Sequence, residues 1–452
     1  MSFRTSGQRQ PSRHDLQPSA IKLIGGLALL VVVGTLALAL PQAATRPLRL
    51  NEAAFTATSA LAVTGLSNIT PASDLTRFGQ VVLLVLIEIG GVGFMAGAVV
   101  ILRLLGRKIY LADRLALRDS LGLPEPRAIL TVTWRVILTS FVIQIIGAMQ
   151  LWLNWVDELG PATAAFYAVF HAASAFCNAG FELFTGSSIP NPTFPTDGFS
   201  LSVIGSLVVL GGLGIPVIAD LLTWPEHRRR LMLHTRVTLG SYAALILVGT
   251  IGILIGEAGA SLSGTPPLRA VQLAVFQAVS ARTAGFAVLP SWESLTEASR
   301  WLLMPLMFIG SAPASMGGGI TTGTFAVMIL SLWSYVRGLP DTRVGHRTLA
   351  AETVRRAGAV LTVSLLVVGA AAWLILITHP VSATVALFEV VSAFATTGMS
   401  LSFTGQLSLF GQLIIMAMMF WGRLGALTIV VALAKPRPPQ PIFYPEESLL
   451  IG

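Results

Sequence analysis

Long apolar runs alternate with shorter polar segments along almost the whole chain. Continuous apolar stretches lie near 22–41, 80–105, 129–154, 199–222, 237–256, 301–334, 354–378 and 407–434. An α-helix needs roughly 20 apolar residues to cross the hydrocarbon core of a bilayer, so this pattern predicts eight crossings. The sixth run is too long for one plain crossing and contains Pro305, Pro313 and a triple glycine at 317–319. It is expected to be broken inside the membrane. The segments 42–78, 157–198, 256–300 and 379–406 are long connections. Each begins with a semi-apolar, helix-compatible stretch too short to span.

Charge gives these runs an orientation. The segments 1–22, 106–128, 223–236, 335–356 and 435–452 hold 20 Lys and Arg residues, and the four long connections hold 6. Cytoplasmic loops carry the excess of basic residues, which places both termini, 1–21 and 435–452, in the cytoplasm of an inner (plasma) membrane protein. Only 11% of the residues are charged, against 54% hydrophobic. Soluble domains carry about 25% charged residues, so an ordinary soluble enzyme is excluded. The net charge of +8 is scattered in short clusters, without the basic stripe or aromatic platform of a nucleic-acid partner. Cys177 is the single cysteine, which leaves no intramolecular disulfide or multi-cysteine metal site. No HExxH or phosphate loop supports an enzyme.

The long connections repeat one pattern. The first reads Phe55, Ser59-Ala60, Gly65; the second Phe170, Ser174-Ala175, Gly180. The third reads Phe276, Ser280-Ala281, Gly285, one residue shorter before the glycine; the fourth reads Phe388, Ser392-Ala393, Gly398. Successive glycines are 115, 105 and 113 residues apart, the period of a whole structural unit. A second echo follows each, as GGVG at 90–93, GGLG at 211–214, GGGI at 317–320 and GRLG at 422–425. The expected unit is a helix, a re-entrant half-helix, a glycine turn and a second helix. It recurs over 22–105, 129–222, 237–334 and 354–434, as parallel repeats about one axis.

Non-helical backbone at membrane depth is tolerated only where it is buried in protein or lines water. Four half-helices converging on an axis would aim their partially negative C-terminal ends at it. Backbone carbonyls there could replace the hydration shell of a cation. The candidate ion-selecting segments are Val63-Thr64-Gly65, Asn178-Ala179-Gly180, Thr283-Ala284-Gly285 and Thr396-Thr397-Gly398, with the carbonyls of Thr64, Asn178, Thr283 and Thr396 as candidate ligands. The segments carry no ring of carboxylates, which suits a monovalent ion and gives K⁺ a weak preference over Na⁺. Four packing glycines at helix crossings are the competing account.

These residues resemble the Trk/Ktr/HKT superfamily of potassium transporters, most closely its KtrB or TrkH pore-forming subunits. The resemblance covers about 22–434. It implies four M1–P–M2 units around a single pore with eight crossings, and one filter glycine per unit at Gly65, Gly180, Gly285 and Gly398. Glycine at all four positions implies K⁺ as the transported ion, with no bound cofactor on this chain. The resemblance also implies a homodimer, and a nucleotide bound only on a cytoplasmic RCK-type ring of partner subunits.

Residues 310–324 interrupt the sixth run with five glycines and a proline, too many for a stable helix. They are read as a loop that obstructs the ion path, with Gly310, Ser311, Ser315, Gly317, Gly318 and Gly319 as gate residues; a static kink is the alternative. Arg423 lies within the last run. The residues alone leave it either as a positive barrier holding the loop, or as a snorkelling or carboxylate-paired side chain. The resemblance favours the first. His171 and Glu389 are expected to support the segments from behind. Glu182 stands at the outer mouth, where it could concentrate cations or simply be solvated. A secondary carrier coupling K⁺ to Na⁺ or H⁺ is the rival function.

Overall fold

The computed structural model describes residues 13–92, 129–189, 191–227, 231–289 and 295–425. Expectations on the N-terminal tail before Arg13, the basic segment 106–128, Arg103, the later part of the second run and the C-terminal tail lie outside these residues.

The described helices are α1 (Arg13–Leu38), α2 (Leu50–Leu61), α3 (Pro71–Asp74), α4 (Arg77–Gly91), α5 (Ile129–Leu159), α6 (Pro161–Phe176), α7 (Gly198–Leu213) and α8 (Ile215–His227). They continue as α9 (Leu233–Glu257), α10 (Pro267–Ser280), α11 (Glu297–Phe308), α12 (Thr322–Val336), α13 (Ala351–Thr378), α14 (Ala383–Phe394) and α15 (Leu409–Leu424). The protein is a polytopic membrane protein built from α-helices. Ile137–Leu159, Leu233–Glu257 and Ala351–Thr378 are each long and apolar enough to cross a bilayer. Their outer faces expose Leu138, Ile145, Leu247, Ile255, Leu366 and Trp373. Such a coat suits lipid rather than water. One element departs from the all-helical expectation: β1 (Arg343–Val344) and β2 (Arg347–Thr348) pair antiparallel around Gly345, whose φ is +59°.

Local sequence sets where the interior helices begin. Pro161 and Pro267 occupy the first turns of α6 and α10, where the missing N–H costs no intrahelical bond. The helix after each long connection starts on a side-chain cap. Thr76 Oγ1 accepts from Gly79 N at 3.2 Å, Asp197 Oδ2 from Ser200 N at 2.8 Å, Thr296 Oγ1 from Ser299 N at 3.2 Å, and Ser408 Oγ from Gly411 N at 3.2 Å. Each such cap stabilises its helix by about 1 kcal/mol.

The core sits around the short helices α2, α6, α10 and α14. Phe55, Phe170 and Phe388 are fully buried there, and Phe276 nearly so. Packing runs in a closed cycle: α4 against α6, α7 against α10, α11 against α14, and α15 back against α2. Across that closing contact, Asn51 Nδ2 donates to Gln412 Oε1 at 2.9 Å.

Three expectations change. Residues from Arg13 onward are helical in α1, inside the stretch expected to be a tail. The fourth apolar run is itself broken, because Gly214 has φ +79° between α7 and α8. A Cβ there would come within 2.6 Å of Pro313 O, so the break makes room for the loop that interrupts the sixth run. That loop occupies 309–321. Thr322, Gly323 and Thr324 belong to the first turn of α12, capped by Thr321.

Candidate functional site: four glycine turns and the loop beneath them

Each short helix ends in a tight turn tied to the serine of its motif. Thr64 N donates to Ser59 O at 2.8 Å, Ala179 N to Ser174 O at 2.7 Å, and Thr397 N to Ser392 O at 2.9 Å. The third unit solves its missing residue differently. Helix α10 stops at Ser280 itself, whereas α2, α6 and α14 run two residues past their serines. Ala284 N and Gly285 N then both donate to Ser280 O, at 2.8 and 3.1 Å. The helix is two residues shorter and the linker one longer, so the glycine keeps its place.

The residue two before each glycine is left-handed: Val63 at φ 56°, Asn178 at 58°, Thr283 at 84° and Thr396 at 51°. Three of these are β-branched, for which such a conformation is strained. The glycines follow at φ 91°, 69°, 80° and 90°. Contact between units leaves no room for a side chain. A Cβ on Gly65 would lie 2.5 Å from Ala179 O, and one on Gly180 would lie 2.6 Å from Ala284 O. One on Gly285 would overlap Thr397 O, and one on Gly398 would overlap Thr64 O. The four turns therefore close a ring in the order 65, 180, 285, 398. Between successive glycines stand the carbonyls of Thr64, Ala179, Ala284 and Thr397.

Behind the second, third and fourth turns, one polar side chain holds the chain that follows. His171 Nε2 accepts from Leu183 N at 3.1 Å while Nδ1 lies 2.6 Å from Tyr167 O. This network assigns the proton to Nδ1. Gln277 Oε1 accepts from Val288 N at 3.1 Å. Glu389 accepts from Ser400 Oγ at 2.7 Å and from Thr404 Oγ1. All three are fully buried. The serines of the motif add to this, Ser174 Oγ donating to Phe181 O and Ser280 Oγ to Phe286 O, both at 2.7 Å. Beyond the ring lies a cavity of about 460 Å³ lined by Gly65, Ser67, Glu182, Gly285, Gly398 and Ser400. Losing the His171 acceptor leaves the buried Leu183 N–H unpaired, a cost of about 1–3 kcal/mol. His171→Phe is therefore expected to lower the melting temperature in detergent by several degrees, which differential scanning fluorimetry measures; an unchanged midpoint rejects the role.

On the opposite side of the ring the loop 309–321 is seated against the turns. Its neck is closed by Gly310 N to Ile320 O at 2.8 Å and Thr322 N to Ser311 O at 2.9 Å. Its middle is held by the other units. Ala312 N donates to Gly212 O at 2.9 Å, Met316 N to Gly211 O at 3.1 Å, and Gly318 N to Thr396 Oγ1 at 2.9 Å. Ser311 Oγ lies 2.7 Å from Thr283 Oγ1. Arg423 donates to Met316 O in the loop and to Gly90 O at the end of α4. Among the described residues its partners are carbonyls; Glu88 accepts from Gln144 Nε2 at 3.5 Å.

The description "Cation transport protein" belongs to the TrkH family model, which matches residues 21–443. The chain belongs to the TrkH family. This TrkH-family chain is 34% identical over 418 residues to the Ktr system potassium uptake protein B of Vibrio alginolyticus, covering 92% of this chain and 91% of that relative. It is 32% identical to the potassium/sodium uptake protein NtpJ of Enterococcus hirae, covering 96% of this chain and 97% of the relative. The crystal structure of the potassium transporter TrkH from Vibrio parahaemolyticus superposes with a TM-score of 0.70 at 19% identity, over 95% of this chain and 87% of that one. That likeness shows a shared fold.

Within this family member the four sequence-derived segments meet at the ring, and two details of register differ. The carbonyls facing neighbouring glycines are those one residue before each glycine, so Thr64 belongs to that ring. Asn178, Thr283 and Thr396 stand one residue earlier, in the left-handed positions. The glycine echo is also corrected in the third unit. A Cβ on Gly90, Gly211 or Gly422 would strike the last carbonyl of its own short helix, at Leu61, Phe176 or Phe394. Gly317 instead lies against Thr283 and Ser311 in the loop, and Gly310 follows the end of α11. Gln277 is a third supporting side chain; it occupies the same place after phenylalanine as His171 and Glu389, a register visible in the sequence.

Proposed function

We propose that this chain is the pore-forming subunit of a potassium uptake system, in which K⁺ enters the cell passively through the ring of glycine turns. The observation that carries this reading is the closed ring itself, with four backbone carbonyls from four units between four glycines. Oxygen dipoles in that arrangement can replace the hydration shell of a monovalent cation. The negative ends of α2, α6, α10 and α14 add to the attraction. The names of the potassium uptake relatives support K⁺ as the ion. The units are four M1–P–M2 repeats with pseudo-fourfold symmetry and eight crossings, the lipid-facing helices outside and the short helices within.

The loop 309–321 and Arg423 form the gate. With the loop seated, its residues stand under the turns and a guanidinium lies beside the path, which opposes a cation on charge alone. A membrane potential of 100 mV contributes about 2.3 kcal/mol per elementary charge, sufficient to drive uptake once the loop withdraws. The subunit works as a homodimer with a cytoplasmic RCK-type, nucleotide-binding ring, and both termini face the cytoplasm.

Uptake of K⁺, Rb⁺ and Na⁺ into proteoliposomes under a set potential tests the reading. Flux of K⁺ and Rb⁺ well above Na⁺, continuing without a gradient of a co-transported ion, is expected. Strict dependence on a Na⁺ or H⁺ gradient would replace the channel by a carrier. In the same assay Arg423→Gln is expected to raise basal Rb⁺ flux several-fold, because the bond to Met316 weakens and the barrier charge is gone; equal or lower flux in folded protein removes Arg423 from the gate.

A further inference from the structure

The two irregular features of the third unit are joined by one side chain. Its linker between short helix and glycine holds four residues, Ala281 to Ala284, where the other units have three. Its second long helix is the one opened by the 309–321 loop. The extra linker length carries Arg282, the largest of the fully buried side chains. Its Nη2 donates to Gly310 O at 2.6 Å and to Thr322 Oγ1 at 2.9 Å. Thr322 Oγ1 in turn lies 2.9 Å from Gly310 O. Gly310 lies at the entry of the loop and Thr322 just past its exit. The guanidinium carbon rests 4.1 Å from the centre of the Tyr242 ring on α9.

We infer that Arg282 is a positioning residue that bolts the neck of the gating loop to the third ion-selecting turn, so that loop position and turn geometry change together. This rests on the reading of the ring and loop given above. A planar guanidinium is suited to the task, because it can lie flat on an aromatic ring while directing N–H groups along its edge. Thr283, the next residue, already touches the loop through Ser311. The backbone that carries the bolt is therefore the backbone that forms the ring. A neck held closed confines loop movement to residues 312–319. Any larger withdrawal must break the Arg282 bonds and release the third turn.

The test uses full-length protein in proteoliposomes with a Cys177→Ala background and a thiol placed by Ser315→Cys. The Ser315 hydroxyl is enclosed by the seated loop, so labelling by a membrane-permeant maleimide reports loop withdrawal. Arg282→Met is expected to speed labelling at least tenfold and to lower the K⁺ to Na⁺ permeability ratio at least threefold. Arg282→Lys should recover part of both, since an ammonium reaches the acceptors without the flat stacking. Thr322→Val, which removes one acceptor, should speed labelling about threefold and add nothing in the Arg282→Met background. Labelling at the parent rate, a permeability ratio unmoved by Arg282→Met, or effects that multiply in the double variant would each overturn the inference. Where Arg282→Met fails to fold, Thr322→Val against its parent decides by the same two readouts. A loop deletion that leaves flux unchanged sinks the gate instead, and is read separately.

Discussion

In Gly285→Ser the ratio of K⁺ to Na⁺ flux is expected to fall about tenfold or more, while the protein still inserts and runs as a single species in detergent. Gly285 has φ +80°, and its Cβ would overlap the Thr397 carbonyl oxygen. A residue with a side chain costs roughly 1–2 kcal/mol in this left-handed conformation. The overlap itself must be relieved by moving the carbonyl, residue 285, or both. A shift that weakens K⁺ coordination by 1.4 kcal/mol relative to Na⁺ already amounts to a factor of about ten. The hydrophobic packing of α10 is untouched by the substitution, so folding should survive. Reversal potentials in planar bilayers with K⁺ on one side and Na⁺ on the other measure the ratio. An unchanged reversal potential would remove Gly285 from ion selection.

Deletion of residues 313–318 is expected to raise basal Rb⁺ flux by an order of magnitude or more, with the selectivity of the parent retained. The deletion removes the loop's bonds from Met316 and Gly318 and the carbonyl that Arg423 holds. At about 1 kcal/mol net for each hydrogen bond, these contacts together hold a withdrawn loop to a small minority. Ile309 and Ile320 pair in parallel, so the cut ends are joined by a flexible Gly-Ser linker, which lets Gly310 N keep its 2.8 Å bond to Ile320 O. Lower flux in correctly folded protein would show that the loop supports the path rather than blocks it.

Much of this site could be read from the chain because the membrane restricts what a glycine can be doing. A turn at depth needs a Cβ-free residue, and Gly65, Gly180, Gly285 and Gly398 announce it at a regular period. The register of the carbonyls was harder. Whether position 64 or 63 faces the next unit depends on a left-handed residue two before the glycine, and Val63, Thr283 and Thr396 are side chains that local propensity would never place there. Gly214 was equally hidden. Its run is apolar throughout, and the break follows from the approach of Pro313, a contact 99 residues away in sequence. The role of Arg282 is not legible along the chain, since nothing in the linear pattern reveals that Gly310 and Thr322 fold back to meet it. The hairpin at Arg343–Thr348 was missed because four paired residues leave no periodic signal.

The order in which the turns meet has a consequence for biosynthesis. Neighbours in the ring are neighbours along the chain until the last, where Gly398 must receive Thr64 O and α15 must pack on α2. A nascent chain that stops anywhere before residue 398 holds at most three walls and lacks Arg423 as well. Closure thus waits for nearly complete translation, so a ribosome that stalls part-way leaves in the bilayer a fragment with no finished conduit.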